Sequence, residues 1–375
     1  MPRFLANLWR LSIKELWSLA HDPIMLFLIV YALSVAVVTV ADGVKLEVVD
    51  ATVAVIDDDR STLSRRIPDA LVPPNFVRPV EIARADADRA MDTARYSFLI
   101  EFPPHFEADV LAGRTPGLGL TIDATAMVQA GNGYSWLQNI VLAEATAWAG
   151  ERGIEARLPI ALATRVHFNP NVEGRWFNAI MQLTNSITIL SIVLVGAAVI
   201  REREHGTIEH LLVMPVDALE IALSKVLANG AVILVAVLLS MELVVRGFLG
   251  VPIAGSRALF VAGSVLYLFS TTSLGILIAT WARSMPQFGL MSIPVFVTML
   301  LLSGNMTPLE SMPPLLQWGM HVSPSVWYVK FAQGLLYRGA GLDIVWPDLV
   351  VMAALGALFL AIATSRFRLM LARIG

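Results

Sequence analysis

The chain has 375 residues, of which 56% are hydrophobic and only 15% charged, with a net charge of −3 and a mean hydropathy of +0.68. Soluble domains carry roughly 25% charged residues, so an ordinary soluble globular protein is excluded and a membrane protein expected. The absence of cysteine excludes a disulfide framework, thiol catalysis and cysteine metal sites.

Residues 1–23 read as an amphipathic helix. Leu5, Leu8, Trp9, Ser12, Ile13 and Leu16 share one face, while Arg10, Lys14 and Glu15 lie elsewhere. That pattern suits a helix lying in a membrane interface. A surface anchor is the plain reading, and contact with a partner the sharper one. Asp22-Pro23 breaks the helix. Six apolar runs then approach the about 20 residues needed to cross a bilayer: 24–41, 177–200, 222–245, 258–281, 288–304 and 347–365. A rival reading of residues 1–41 is a cleaved leader ending at Thr39-Val40-Ala41, although its lead is long for one.

Residues 42–175 hold 13 basic and 19 acidic side chains. They read as a water-soluble mixed α/β domain inserted after the first span. Its mild acidity argues against nucleic acid as a partner. Strands are predicted at Ala51–Ile56, Tyr96–Glu101 and Gly119–Ile122, and helices at Ser61–Ala70, Ala85–Ala94 and 129–150. Asp57-Asp58-Asp59 suggests a metal at first sight. A solvated turn at a strand end is the commoner explanation, because no further ligand has site-like spacing.

Basic residues near span ends set orientation. Arg3, Arg10, Lys14, Arg201, Arg203, Lys225, Arg283, Arg366, Arg368 and Arg373 fall on one side, and Arg246, Arg257, Lys330 and Arg338 on the other. Both termini are therefore expected in the cytoplasm and residues 42–175 outside the cell's inner (plasma) membrane.

The segment 201–215, REREHGTIEHLLVMP, joins two spans and is wrong for a passive turn. Gly206 or Thr207 can cap a short helix, Glu209 suits its positive first turn, and Pro215 ends it. Glu202 and Glu204 lie among its charges. The expected product is an amphipathic helix on the membrane face, its carboxylates held out to water, suited to docking a soluble partner.

Polar residues within spans are costly and usually face protein or water. Asn178, Gln182 and Asn185 form a stripe on the second span, with Ser186 at its edge; Ser264, Tyr267 and Thr271 form another on the fourth. They read as a translocation path or subunit interface, or as plain helix–helix hydrogen bonding. Glu242 and Arg246 can pair along the third span. Residues 303–346 are too rich in proline for one span. Pro308, Pro313-Pro314 and Pro324 divide them into short helices that re-enter or lie on the outer leaflet; Glu310 and Lys330 are the notable charges.

Catalytic motifs are missing. None of the four lysines follows a glycine, so there is no Walker A loop. No His-Glu-x-x-His or Gly-x-Ser-x-Gly occurs. The chain is not expected to be an enzyme by itself, nor to hold a cofactor or metal.

Three segments resemble ABC type-2 exporter permeases, in the subgroup with a large extracytoplasmic domain after the first span. REREHGTIEHLLVMP is similar to the family's coupling segment, with Glu202, Glu204, Gly206, Thr207, Glu209 and Pro215 in matching places. LSGNMTPLESMPPLLQW is similar to its outer re-entrant motif, carrying Gly304, Pro308, Glu310 and Pro313, with Pro324 downstream. VVDATVAVIDDDRSTLSR resembles the start of its outer domain, and GVPIAGS the loop after the third span.

The resemblance implies an α-helical polytopic protein of six transmembrane helices with an inserted extracytoplasmic α/β domain: interfacial helix 1–23, first span 24–41, outer domain 42–175 and membrane domain 176–375. It implies cytoplasmic ABC ATPase subunits as partners, with ATP and Mg on them, and a second permease subunit, identical or similar. Membrane lipid and a periplasmic adaptor are further candidate partners. The implied activity is export of a hydrophobic or amphipathic substrate, drug-like or lipid-like. The alternative is an envelope or sensor complex in which ATP hydrolysis does mechanical or signalling work without transport.

Overall fold

The computed structural model describes residues 2–43, 50–92, 95–114, 116–122, 127–152, 174–204, 216–305, 309 and 312–371. It is mostly helical, at 75%, and divides into two compact units: Met1–Gly43 with Arg175–Gly375, and Val44–Gly174.

Among the described residues, six helices are long and apolar enough to cross a membrane: Pro23–Gly43, Gly174–Glu204, Ala218–Phe248, Arg257–Trp281, Met285–Leu302 and Leu342–Arg368. They are numbered as first to sixth spans below. Local chemistry sets their starts. Asp22 caps the first span by accepting the Met25 N–H at 3.0 Å, and Pro23 occupies its opening turn, where a missing N–H costs nothing. Asp217 and Glu220 form a capping box on the third. Ser256 and Ser284 cap the fourth and fifth.

The second span is buried along nearly its whole length, from Asn178 to Ile200. A helix buried on all sides, here with its few polar residues inside as well, belongs in the middle of a bundle. The fifth span instead exposes Leu290, Ile293, Val297 and Leu301 at helical spacing. The sixth-span helix begins at Leu342, not at 347. Its first turn closes upstream of Pro347, where the Gly341 carbonyl accepts from the Ile344 and Val345 N–H groups at 3.1 and 3.2 Å. Asp343 suits the positive helix start.

Between the fifth and sixth spans lie helices Pro314–Met320 and Pro324–Leu336. Tyr328, Phe331 and Leu335 of the second are fully buried against the membrane bundle. This helix therefore re-enters the bundle. Pro314–Met320 is more superficial, with Leu315 and Trp318 exposed.

The second unit is a four-stranded sheet in the order β2-β1-β3-β4. Strand β1 (Val53–Asp57) pairs in parallel with β2 (Val80–Glu81) and with β3 (Phe98–Phe102), which pairs antiparallel with β4 (Gly119–Ile122). Val53 and Val55 face a core with helices Thr62–Asp69 and Met127–Glu151; Ala54 and Ile56 face Ala87 and Tyr96 behind the sheet. Burial on both faces explains why β1 reads as a continuous apolar run without alternation. The sequence reading misses β2, which is two residues long and exposed, and helix Phe106–Leu111.

The triple aspartate is a turn that organises neighbouring elements. The Asp57 carboxylate accepts the N–H groups of Asp59 and Arg60 at 3.1 and 2.7 Å and the Ser64 hydroxyl at 2.8 Å. Asp58 pairs with Arg84, and Asp59 accepts the Glu107 N–H at 3.0 Å.

Candidate functional site: a charged node at one end of the bundle

Helix Pro2–Ala20 buries Leu11, Glu15 and Leu19, spaced four residues apart, and packs against the third span. Leu5, Trp9, Ile13, Leu16 and Trp17 are exposed. The apolar face expected from the pattern is thus the outward one, while the face used for packing carries a glutamate. Apolar periodicity locates both faces of such a helix but cannot tell lipid from protein.

Glu15 meets Lys225, which is 1% exposed and donates to it at 2.8 Å. Lys225 also lies 2.8 Å from Glu202, at the end of the second span. Lys14 donates to Glu202 from the opposite side at 2.6 Å. Two cations and two carboxylates, from three separate helices, thus form one neutral cluster. A lysine this deep is tolerated only when paired. Burial, reinforced by the nearby Glu202 charge, raises the Glu15 pKa, and Lys225 opposes that rise. The Lys14 pKa is raised even though burial opposes it, because Glu202 holds the ammonium in place.

Two flanking contacts extend the cluster. The Asn7 amide donates to both Glu220 carboxylate oxygens at 3.3 Å. Arg201 pairs with Asp22. Burial would raise the Asp22 carboxyl; the Met25 N–H and Arg201 outweigh it and hold it below the usual carboxylate range.

This placement corrects one feature of the expected coupling segment. Glu202 is not held out to water: its side chain is 13% exposed and both lysines occupy its carboxylate. Glu204 is exposed and accepts the Met285 N–H at 2.9 Å, while Arg203 donates to the Ala282 carbonyl at 2.8 Å. Both tie the end of the second span to the turn between the fourth and fifth. Gly206, Thr207, Glu209 and Pro215 lie outside the described residues.

The polar stripes face inward. Asn178 is fully buried and Gln182 half-buried, donating to Ser186 at 3.4 Å. Asn185 accepts from the Asn305 amide at 3.2 Å. Tyr267 bonds with the Thr188 hydroxyl and stacks on Tyr328, ring centroids 4.0 Å apart; Tyr328 in turn meets Ser264 at 2.9 Å. Thr271 bonds back to the Tyr267 carbonyl. Tyr267 and Thr271 are both fully buried. Their hydroxyls serve contacts within the chain.

In the outer motif, Gly304 has φ +92°, a left-handed turn that favours glycine. Pro313 caps helix Pro314–Met320, and Pro324 opens the re-entrant helix. Pro308 and Glu310 lie outside the described residues. Lys330 reaches the buried Asp348 at 3.3 Å.

Sequence reasoning missed the pairing of Glu15 with Lys225. The available signal was a lysine just inside an apolar run, which was read only as a flanking charge.

A unit whose described residues form six helices long and apolar enough to cross a membrane has the architecture of a polytopic membrane protein. The sequence profile described as ABC-2 family transporter protein matches residues 23–364. The chain is 46% identical over 366 residues to the Inner membrane transport permease YhhJ of Escherichia coli (strain K12), covering 98% of each chain. It is 29% identical to the Probable multidrug ABC transporter permease YbhR of the same organism, covering 94% of this chain and 96% of that one. The ABC transporter G family member 20 of Dictyostelium discoideum is 26% identical over 202 residues, 52% of this chain and 27% of its own. The chain belongs to the ABC-2 transporter family, as a membrane permease.

Proposed function

We propose that the chain is the membrane subunit of an ATP-driven exporter. A separate ABC ATPase holds ATP and Mg, and segment 201–215 is the surface it engages. The observation that carries this reading is the convergence of the N-terminal helix and both arms of that segment on one charged node, in a family of transport permeases. In this orientation both termini lie in the cytoplasm of a bacterial inner membrane and unit Val44–Gly174 lies outside. The exposed stripe Leu290, Ile293, Val297 and Leu301 of the fifth span is the surface offered to a second permease subunit or to lipid.

The substrate is hydrophobic or amphipathic. Supporting this, an apolar groove of about 440 Å³ lies between the fifth span and the re-entrant segment, with Pro294, Met299, Met320 and Phe359 in its wall and the hydroxyls of Thr298 and Ser323 as polar handles. A relative's printed name, multidrug permease, points the same way.

The test is Glu204→Ala and Glu209→Ala in the intact chain, coexpressed with its ATPase. A partner truncated from a partly buried charged contact costs about 2–5 kcal/mol, against about 0–1 kcal/mol for an exposed pair. The expected result is weakened copurification, or ATP hydrolysis no longer linked to transport, in a folded protein. Normal copurification with coupled activity retained would end this reading.

A further inference from the structure

The four-charge node is built from three chain segments, and two of them are the arms of segment 201–215. Glu202 closes the second span. Lys225 lies two turns into the third. Lys14 and Glu15 come from the N-terminal helix. A buried ion set is a weak source of stability, because desolvation offsets most of the attraction and apolar residues of similar volume often do as well. What it supplies is register. Leu11 and Leu19 alone would let the N-terminal helix slide or roll on the third span, since apolar contact is non-directional. Lys225 held between two carboxylates at 2.8 Å each allows one position only.

The helix is pinned at two further points. Asn7 bonds to Glu220 on the third span, and Asp22 pairs with Arg201 on the second. Asn7 and Glu15 fall about two helical turns apart, roughly 12 Å at 1.5 Å per residue, and Asp22 lies just past the helix end at Ala20. Contacts spaced this way, to two different spans, block both translation and rotation.

We propose that Lys14, Glu15, Glu202 and Lys225 form an ionic strut that makes the N-terminal helix and both arms of segment 201–215 one rigid body, so that a push on the segment moves the second and third spans together. These are positioning residues, acting through the segment. The link to ATP rests on the function proposed above; the strut does not.

The chain has no cysteine, so labels can be placed directly. Ser18→Cys and Arg283→Cys are exposed reporters on the N-terminal helix and on the turn tied to the end of the second span. Distances between spin labels at these sites are measured in the full complex with its ATPase in nanodiscs, with and without ATP. The parent is expected to give one narrow distribution that keeps its width in both states. Lys225→Met should broaden it, with copurification retained and the permease-dependent change in ATPase rate lost. Lys225→Arg, which keeps a cation between Glu15 and Glu202, should keep it narrow, a difference from Lys225→Met that a purely space-filling role would not produce. Should Lys225→Met fail to fold, the half-exposed Lys14→Met carries the same measurement. An unchanged narrow distribution in either folded variant overturns the strut. Broadening as expected, with normal ATPase regulation and normal copurification of Glu204→Ala, leaves the strut standing and removes the coupling reading instead.

Discussion

At Gly196 the second span packs directly against Phe288 of the fifth. A Cβ there would lie 1.9 Å from Cζ of Phe288, whose ring is 2% exposed. Small residues allow membrane helices this proximity, where packing replaces the hydrophobic drive available in water. Gly263 does the same for the buried Phe331 of the re-entrant helix, at 2.2 Å. Overpacking of a filled interior typically costs about 1–3 kcal/mol. Gly196→Ala should therefore lower the thermal unfolding midpoint of the detergent-purified protein, and adding Phe288→Leu should recover part of the loss. A wild-type midpoint for Gly196→Ala alone would mean the two spans do not meet here. Neither glycine stands out in the sequence among the 25 present, because close approach is a property of two helices.

Helix Thr62–Asp69 shows what capping does for an element too short to persist alone. Ser61 and Ser64 form a capping box. The Glu107 carboxylate adds to it from across the unit, accepting the Leu63 N–H at 2.9 Å and the Thr62 hydroxyl at 2.8 Å at the positive helix end. Burial would raise the Glu107 pKa, but these bonds outweigh it and the pKa is lowered from 4.5. The linkage sign follows. The stabilisation is complete above the unfolded value of 4.5 and is lost as pH falls below it through the lowered folded value. Amide protection factors over residues 61–69, corrected for the intrinsic exchange rate, should fall as the pH drops below about 4.5. Glu107→Gln should be less protected already at neutral pH and lack that acid step; an identical step in the variant would assign it to other carboxylates. The Ser61 cap was legible from sequence, since Ser-Thr follows an acidic turn. Glu107 was not, because its contact spans more than forty residues.

At the scale of the molecule, the proposed orientation depends on the excess of ten flanking basic residues over four. Ala108→Cys, exposed in the sheet-containing unit, and Arg283→Cys, at the opposite set of span ends, test it in this cysteine-free chain. A membrane-impermeant thiol reagent applied to intact cells should label Ala108→Cys alone. Arg283→Cys should react only after the membrane is opened. Labelling of Arg283→Cys alone would reverse the topology, and labelling of both from outside would break it. Such a result would leave the six-helix bundle intact, since packing does not record which side faces the cytoplasm.

Six spans, two units of contrasting composition and the absence of catalytic motifs are all determined by the amino-acid sequence alone. Each depends on the summed character of about 20 residues, which no single tertiary contact can reverse. The strands around ATVAVI and YSFLIE were likewise legible, because residues buried on both faces leave a continuous apolar run. The tertiary structure decided which face of each helix meets protein. Leu5, Trp9 and Ile13 form an exposed apolar face of the N-terminal helix, whereas Glu15 and Lys225 look like water-seeking charges yet are buried. Tyr267 and Thr271 were legible as polar residues within a span, and the fold supplies the partners they bond within the chain. The physical reason is the same in each case. In a membrane protein apolar surface is favourable against both lipid and protein, and a charge can be buried wherever an opposite charge meets it. Only the positions of neighbouring helices settle which of these occurs.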